Sequence, residues 1–328
     1  MAQDNLNRDQ ATARIRAAVT QDLLSGRISL LLGWQKGLFW WRSRPLFARS
    51  QQDLERLVWD SFCAVNLSRY LPEELSIEER VGILVKGCDA RAFHRLLQDR
   101  MLDRERVLLY GLSCPGMLDY RLLAEAGVKE AEQMLEEGEE LVIQTGGGEE
   151  RRPRTDFLLE KCRLCSHPDP VVYDQLLLPP GEPRMDPASR FQDLEARERP
   201  TPAERYAYWS GELQRCLSCY ACRQVCPACS CRECFAEQQE PRWLGKGAGL
   251  NENMLFHIIR VYHGAGRCIE CGECQRACPV GIPLLELSRR LAKDIEELYG
   301  PYEAGMDPEA PPPLLTYRPE DPAAFPEK

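Results

Sequence analysis

Two cysteine runs constrain this chain more than any other feature. RCLSCYACRQVCP holds Cys216, Cys219, Cys222 and Cys226, and RCIECGECQRACP holds Cys268, Cys271, Cys274 and Cys278. Each is spaced C-x2-C-x2-C-x3-C and closed by a proline, Pro227 or Pro279. That is the spacing of bacterial iron–sulfur proteins. Three thiolates two residues apart can wrap one face of a [4Fe–4S] cube within a single tight loop. The fourth points away from the loop and, in two-cluster proteins, ligates the other cube. The expected ligand sets are therefore Cys216, Cys219, Cys222 and Cys278 for cluster 1, and Cys268, Cys271, Cys274 and Cys226 for cluster 2. The prolines suit the first turn of a following helix. Zinc is the competing occupant. It prefers two separated C-x2-C pairs to three cysteines in series, and a zinc-scaffold binding protein would be colourless.

Composition narrows the setting. At 328 residues, two domains are expected. Lys and Arg number 42 against 51 Asp and Glu, a formal charge of 42 − 51 = −9, so nucleic acid is not an expected partner. Sixteen cysteines without an apolar leader at MAQDNLNRDQATARIRAAV point to thiols kept reduced for metal and to a cytoplasmic setting. No apolar run approaches the length of a membrane span.

Along the chain, 8–24 reads as a helix, Ile28–Gln35 and Gly37–Trp41 as strands joined by a Lys-Gly turn, and 51–60 as a helix. Cys63 follows and reads as a small buried hydrophobe. Val81–Cys88 and Arg106–Gly116 read as buried strands flanking a helix at Asp89–Leu102, which implies a βαβ crossover with parallel strands. Cys88 and Cys114 then lie beyond the carboxyl ends of neighbouring strands, where open α/β sheets place ligands. Cys88 also stands at a helix N-terminus, where the dipole favours a thiolate. Residues 117–137 read as another helix, Glu136–Glu140 as a solvated charge run, and Gly146–Gly148 as a flexible turn, since no Lys-Ser/Thr follows to make a phosphate loop.

Cys162 and Cys165 form a C-x2-C pair. With Cys88 and Cys114 they make four thiols, the number one more [4Fe–4S] cluster needs; the alternative is an idle pair and two core cysteines. Cys229, Cys231 and Cys234, in ACSCRECF, could ligate a further cluster with Cys63, replace Cys226, or be redox-idle. His94 is expected to be an ordinary helix residue. His257 and His263 could tune a cluster through hydrogen bonds or simply pack.

The segments VGILVKGCDARA, LLYGLSCPGM and EKCRLCSHPDPVVYD resemble the beta subunits of coenzyme F420-reducing hydrogenases and formate dehydrogenases. The resemblance covers roughly residues 75–180 and, more loosely, the cysteine runs. It implies a site near a flavin and an iron–sulfur cluster, with Cys88, Cys114, Cys162 and Cys165 as cluster ligands. Those subunits commonly carry the dicluster segment first, whereas here it comes second. That order, the W-x-x-K-G…H-G-A-G-R-C stretch and the tail are similar to dicluster electron-transfer subunits of heterodisulfide-reductase-like and formate-dehydrogenase assemblies.

The expected architecture is α/β: a parallel-strand βαβ domain over 1–180, a linker over 181–202, a helical ferredoxin-like dicluster domain over 203–300, and an extended partner-binding tail over 301–328. The expected function is single-electron transfer through two or three [4Fe–4S] clusters, between a dehydrogenase- or hydrogenase-type partner and another redox subunit. An FAD-containing subunit passing hydride to or from a deazaflavin or nicotinamide is the alternative.

Overall fold

The structure, a computed structural model, describes residues 8–128, 133–145, 148–245 and 247–315. Its N-terminal half is built on a five-stranded sheet in the order β2-β1-β3-β4-β8. The strands are β1 (Leu30–Lys36), β2 (Ser43–Ala48), β3 (Val81–Val85), β4 (Val107–Gly111) and, after a second sheet, β8 (Gln175–Leu176). β1, β3, β4 and β8 run parallel, and β2 pairs antiparallel at the edge. β3 is buried at every position, as a strand covered on both faces must be. The helix Gly87–Gln98 joins β3 to β4, so the expected βαβ unit is present. The helix Arg8–Leu24 presents Ala11, Ile15 and Val19 to the core, where Trp34, Ile83 and Leu109 are fully buried.

Several local expectations are corrected. Gly37–Trp41 is not a strand but the connection between β1 and β2, closed by the Gly37 amide donating to the Arg42 carbonyl at 2.7 Å. The helix expected over 51–60 stops at Leu54, and the Val58 amide instead donates to the Trp34 carbonyl. The long helix expected over 117–137 is a short one, Tyr120–Glu125, and its far end is a strand. There β5 (Gln133–Glu137), β6 (Glu140–Thr145) and β7 (Gly148–Pro153) form a three-stranded antiparallel sheet. Met134 faces Ile143 across that ladder, and cross-strand packing outweighs helix propensity. Glu136–Glu140 thus spans a hairpin turn, with Gly138 at φ +62°. Thr145 pairs with Gly148, which fits the turn reading; Gly146 and Gly147 lie outside the described residues.

The C-terminal half is helical. Thr201 caps the helix Pro202–Gln214 through a reciprocal bond with Glu204. The helices Leu250–His263 and Leu284–Tyr299 follow, the second ending at Gly300 with φ +88°. The segment expected as a linker is packed rather than loose. Arg190 is buried against Glu270 and Glu296, and Lys293 holds Glu198 at 2.7 Å. The tail, as far as Leu315, folds back onto the chain's own helix Gly87–Gln98 instead of extending away. Arg91 pairs with Glu303 at 2.9 Å, and the Gln98 amide donates to the carbonyls of Asp307, Pro308 and Ala310. Residues 316–328 lie outside the described residues.

Candidate iron–sulfur centres

The two cysteine loops are wound alike. Ser218 and Tyr220 flank Cys219 with φ of +51° and +55°, and Glu270 and Gly272 flank Cys271 with φ of +56° and +62°. Three of those four are not glycine, and a left-handed non-glycine residue costs on the order of 1–3 kcal/mol, so it persists only where its surroundings demand it. Such residues turn successive amides toward one side, making the concavities that receive anionic sulfur. A short helix follows each loop, Ala221–Gln224 and Glu273–Ala277, and the last cysteine of each run lies just beyond it.

The runs exchange their fourth cysteines. Cys216, Cys219, Cys222 and Cys278 line one cavity with Phe256 and His257. The Ser218 amide donates to Cys216 Sγ and the Ile282 amide to Cys278 Sγ, both at 3.4 Å. His257 Nε2 is 3.4 Å from Cys216 Sγ. Burial first, and Arg260 second, push this histidine down to about 3, so the ring is neutral at ordinary pH. It is therefore packed and hydrogen-bonded to a sulfur at once. His94 is buried with Nδ1 3.0 Å from the Gly305 carbonyl, an ordinary packing role.

Cys226, Cys268, Cys271 and Cys274 line a second cavity of about 60 Å³. Cys229, Cys231, Cys234 and Arg260 share it. The Cys229 amide donates to the Cys226 carbonyl at 3.1 Å, and the Cys226 thiol is held down to about 6, first by its hydrogen bond with Cys229. Cys63 is not placed to join them. It is buried in the α/β core, where its sulfur accepts from the Asp60 amide at 3.3 Å.

Cys88, Cys114, Cys162 and Cys165 line a third cavity, again of about 60 Å³. Its opposite wall is Ile269, Glu270 and Cys271, so the second cysteine loop separates the second and third cavities. Gly87 lets the turn close, since a Cβ there would lie 2.0 Å from the His167 carbonyl oxygen. The helix-terminal position of Cys88 does not make it an easy thiolate. Burial dominates and pushes its thiol up to about 12, and burial also raises Cys114 and Cys165.

Two buried ammonium groups stand beside this third set. Lys86 lies 2.8 Å from Asp89 and 3.9 Å from the Trp34 ring centre. Lys161 pairs with Glu273 at 2.7 Å and donates to the Ala64 carbonyl at 3.0 Å. Burial is the largest influence and alone would lower both, but Asp89 with the Cys88 and Cys114 sulfurs for Lys86, and Glu273 with the Cys88, Cys162 and Cys271 sulfurs for Lys161, together outweigh it and raise both, so both remain charged. Neither the Lys161–Glu273 pair nor Arg260 was singled out by sequence reasoning. For Arg260 the signal was its i, i+3 spacing from His257 on one helix.

The donor chemistry fits an iron–sulfur occupant. All sixteen cysteines are free thiols. Burial raises the thiols of Cys88, Cys114, Cys165, Cys222 and Cys268, and thiols raised in this way give up their protons when a metal takes their place, with buried cations and backbone amides offsetting the charge. Among the described residues no three His, Cys, Asp or Glu side chains gather as one metal ion would require; the thiols ring cavities instead.

Comparison with known proteins agrees. Residues 212–282 match the family described as 4Fe-4S dicluster domain. The chain is 23% identical to an F420-dependent formate dehydrogenase subunit beta of Methanocaldococcus jannaschii, over 92% of each chain. It is 22% identical to an F420-dependent formate dehydrogenase 1 subunit beta of Methanococcus maripaludis, over 94% of each. These alignments run end to end, so segment order does not set this chain apart from those relatives. Cobalamin reductase PduS of Citrobacter freundii is 27% identical over 29% of this chain and 20% of its own. A chain of the F420-reducing [NiFe] hydrogenase complex of Methanosarcina barkeri superposes with a TM-score of 0.39 at 18% identity, covering 51% of this chain and 69% of that one. Among the described residues no helix is long and apolar enough to cross a membrane. The dicluster domain and the formate dehydrogenase relatives support an iron–sulfur electron-transfer subunit carrying 4Fe–4S clusters.

Proposed function

We propose that this chain is the beta-type electron-transfer subunit of a cytoplasmic formate dehydrogenase- or hydrogenase-like complex, and that it holds three [4Fe–4S] clusters in a row. The ligands are Cys216, Cys219, Cys222 and Cys278 for the first, Cys226, Cys268, Cys271 and Cys274 for the second, and Cys88, Cys114, Cys162 and Cys165 for the third. Bound cubes supply one-electron chemistry, with potentials tuned by charge, hydrogen bonds to sulfur and exposure. The chain's own residues set the order. The observation that carries this reading is the shared wall: Ile269 and Cys271 line both the second and third cavities. Phe256 lines both the first and second.

The test is iron and acid-labile sulfide per chain on anaerobically purified protein, with about twelve irons expected and about eight if only the two runs bind clusters. Replacing Cys162 and Cys165 with Ser is expected to remove about four irons and leave the rest. Unchanged iron would overturn the third centre, and a colourless, zinc-containing preparation would overturn all three.

A second reading has support in the relatives' F420-dependence. In it the N-terminal domain binds FAD and passes hydride to or from a deazaflavin or nicotinamide. A stoichiometric flavin spectrum after acid extraction would favour it.

A further inference from the structure

We infer that Arg260 is the positioning residue that sets the redox level of the middle centre, by donating hydrogen bonds from a buried guanidinium to its sulfurs. This deepens the three-cluster reading and rests on it. Arg260 lies on the helix Leu250–His263, one turn from His257, and is 7% exposed. Its Nε and Nη2 are buried and have no hydrogen-bond partner. It lines the cavity shared by Cys226, Cys268 and Cys274, whereas His257 lines the first cavity. No carboxylate among the described residues forms an ion pair with it, and the cavity it lines presents the sulfurs of Cys226, Cys229, Cys268 and Cys274. A buried, uncompensated guanidinium is too costly to leave idle. Cluster-bound sulfur is the acceptor that would satisfy it, and the guanidinium's rigid fork suits two acceptors at once.

The direction follows from charge. Reduction adds one electron to the cube, and a fixed cation donating to its sulfurs favours the reduced form. Removing it lowers the potential of that centre and leaves the others nearly unchanged. Only the part of that interaction that differs between the oxidised and the reduced cube moves the equilibrium, and a shift of about tenfold is expected. Tenfold corresponds to about 59 mV for one electron.

The experiment is a dithionite redox titration of the full chain followed by electron paramagnetic resonance, with iron and sulfide counted on each sample. Wild type is compared with Arg260→Gln and Arg260→Lys. The expected result is full iron content with one centre shifted down in Arg260→Gln and less far down in Arg260→Lys, which keeps the charge but loses the fork. Full iron with every potential unchanged overturns the inference and leaves the three-cluster reading standing. If Arg260→Gln fails to hold the middle cluster, Arg260→Lys decides: a lowered potential supports the inference and a wild-type one overturns it. Wild-type protein without iron would be the distinct failure of the underlying reading, and the inference would fall with it.

Discussion

Replacing Glu273 with Gln should cost the protein about 3 kcal/mol without touching a cysteine. Glu273 is 1% exposed and lies between Lys161 at 2.7 Å and Arg276 at 2.7 Å. Burial would raise its carboxyl, but Arg276 and Lys161 outweigh that and hold it down at about 2, from an ordinary 4.5. At about 1.36 kcal/mol per pH unit the depression is worth roughly 3 kcal/mol. Breaking a buried pair from one side costs about 3–5 kcal/mol, because Lys161 is left charged without its carboxylate. Arg276 is a quarter exposed and can turn to water. The carboxyl is depressed on folding, so its contribution is present above pH 4.5 and is lost only as pH falls toward 2. The deficit of Glu273→Gln should therefore be flat from about pH 5.5 to 8. For a chain this long about 2 °C is lost per kcal/mol, so the melting midpoint should fall by about 6 °C. The assay is anaerobic calorimetry at a single scan rate, since bound clusters break two-state behaviour. A double variant, Lys161→Met with Glu273→Leu, should recover most of the loss, because an apolar pair of similar volume replaces a buried ion pair at little cost. A fall of less than 2 °C, or a deficit that changes across that pH window, would refute the reasoning.

Two further substitutions test the backbone. Gly272→Ala places a methyl 2.8 Å from Lys161 Cβ at a φ of +62°, and should cost about 1–3 kcal/mol and lower iron per chain; full iron with an unchanged melting point would count against it. Gly305→Ala, at φ +80° with the Arg91 carbonyl oxygen 2.4 Å from the new Cβ, should release the returning tail. Hydrogen exchange over 301–315 should then rise while β3 and β4 stay protected, and unchanged exchange in the tail would show that it is not held there.

What could be read directly was periodic or ligand-spaced. β3, the helix after it and β4 were legible because a buried parallel strand is a short continuous apolar run. Cys226 lines the cavity of the second run and Cys278 that of the first, a placement in keeping with the expectation drawn from this spacing in two-cluster proteins. The β5-β6-β7 sheet was not. Its first strand, QMLEE, carries helix-favouring residues, and only pairing with β6 makes it extended. The packing of 181–202 was hidden by its prolines, because Arg190 and Asp193 find their partners about a hundred residues later, on Glu296 and Arg289. The gathering of Cys88 and Cys114 with the Cys162 pair was half legible. Strand ends place the first two at one edge, but only tertiary structure brings the loop at 162–165 over them.

The loop from Cys268 to Cys274 is one layer of chain with a cysteine-lined hollow on either side. Lys161 and Glu273 rivet it to the α/β half, and Arg121 adds a bond to the Cys278 carbonyl at 2.7 Å. The ferredoxin-like portion is thus tied to the α/β half through that loop. Prising it away would bare both hollows to solvent together, so oxygen damage to one is expected to travel with damage to the other, and a truncated C-terminal half should be far more air-sensitive than the whole.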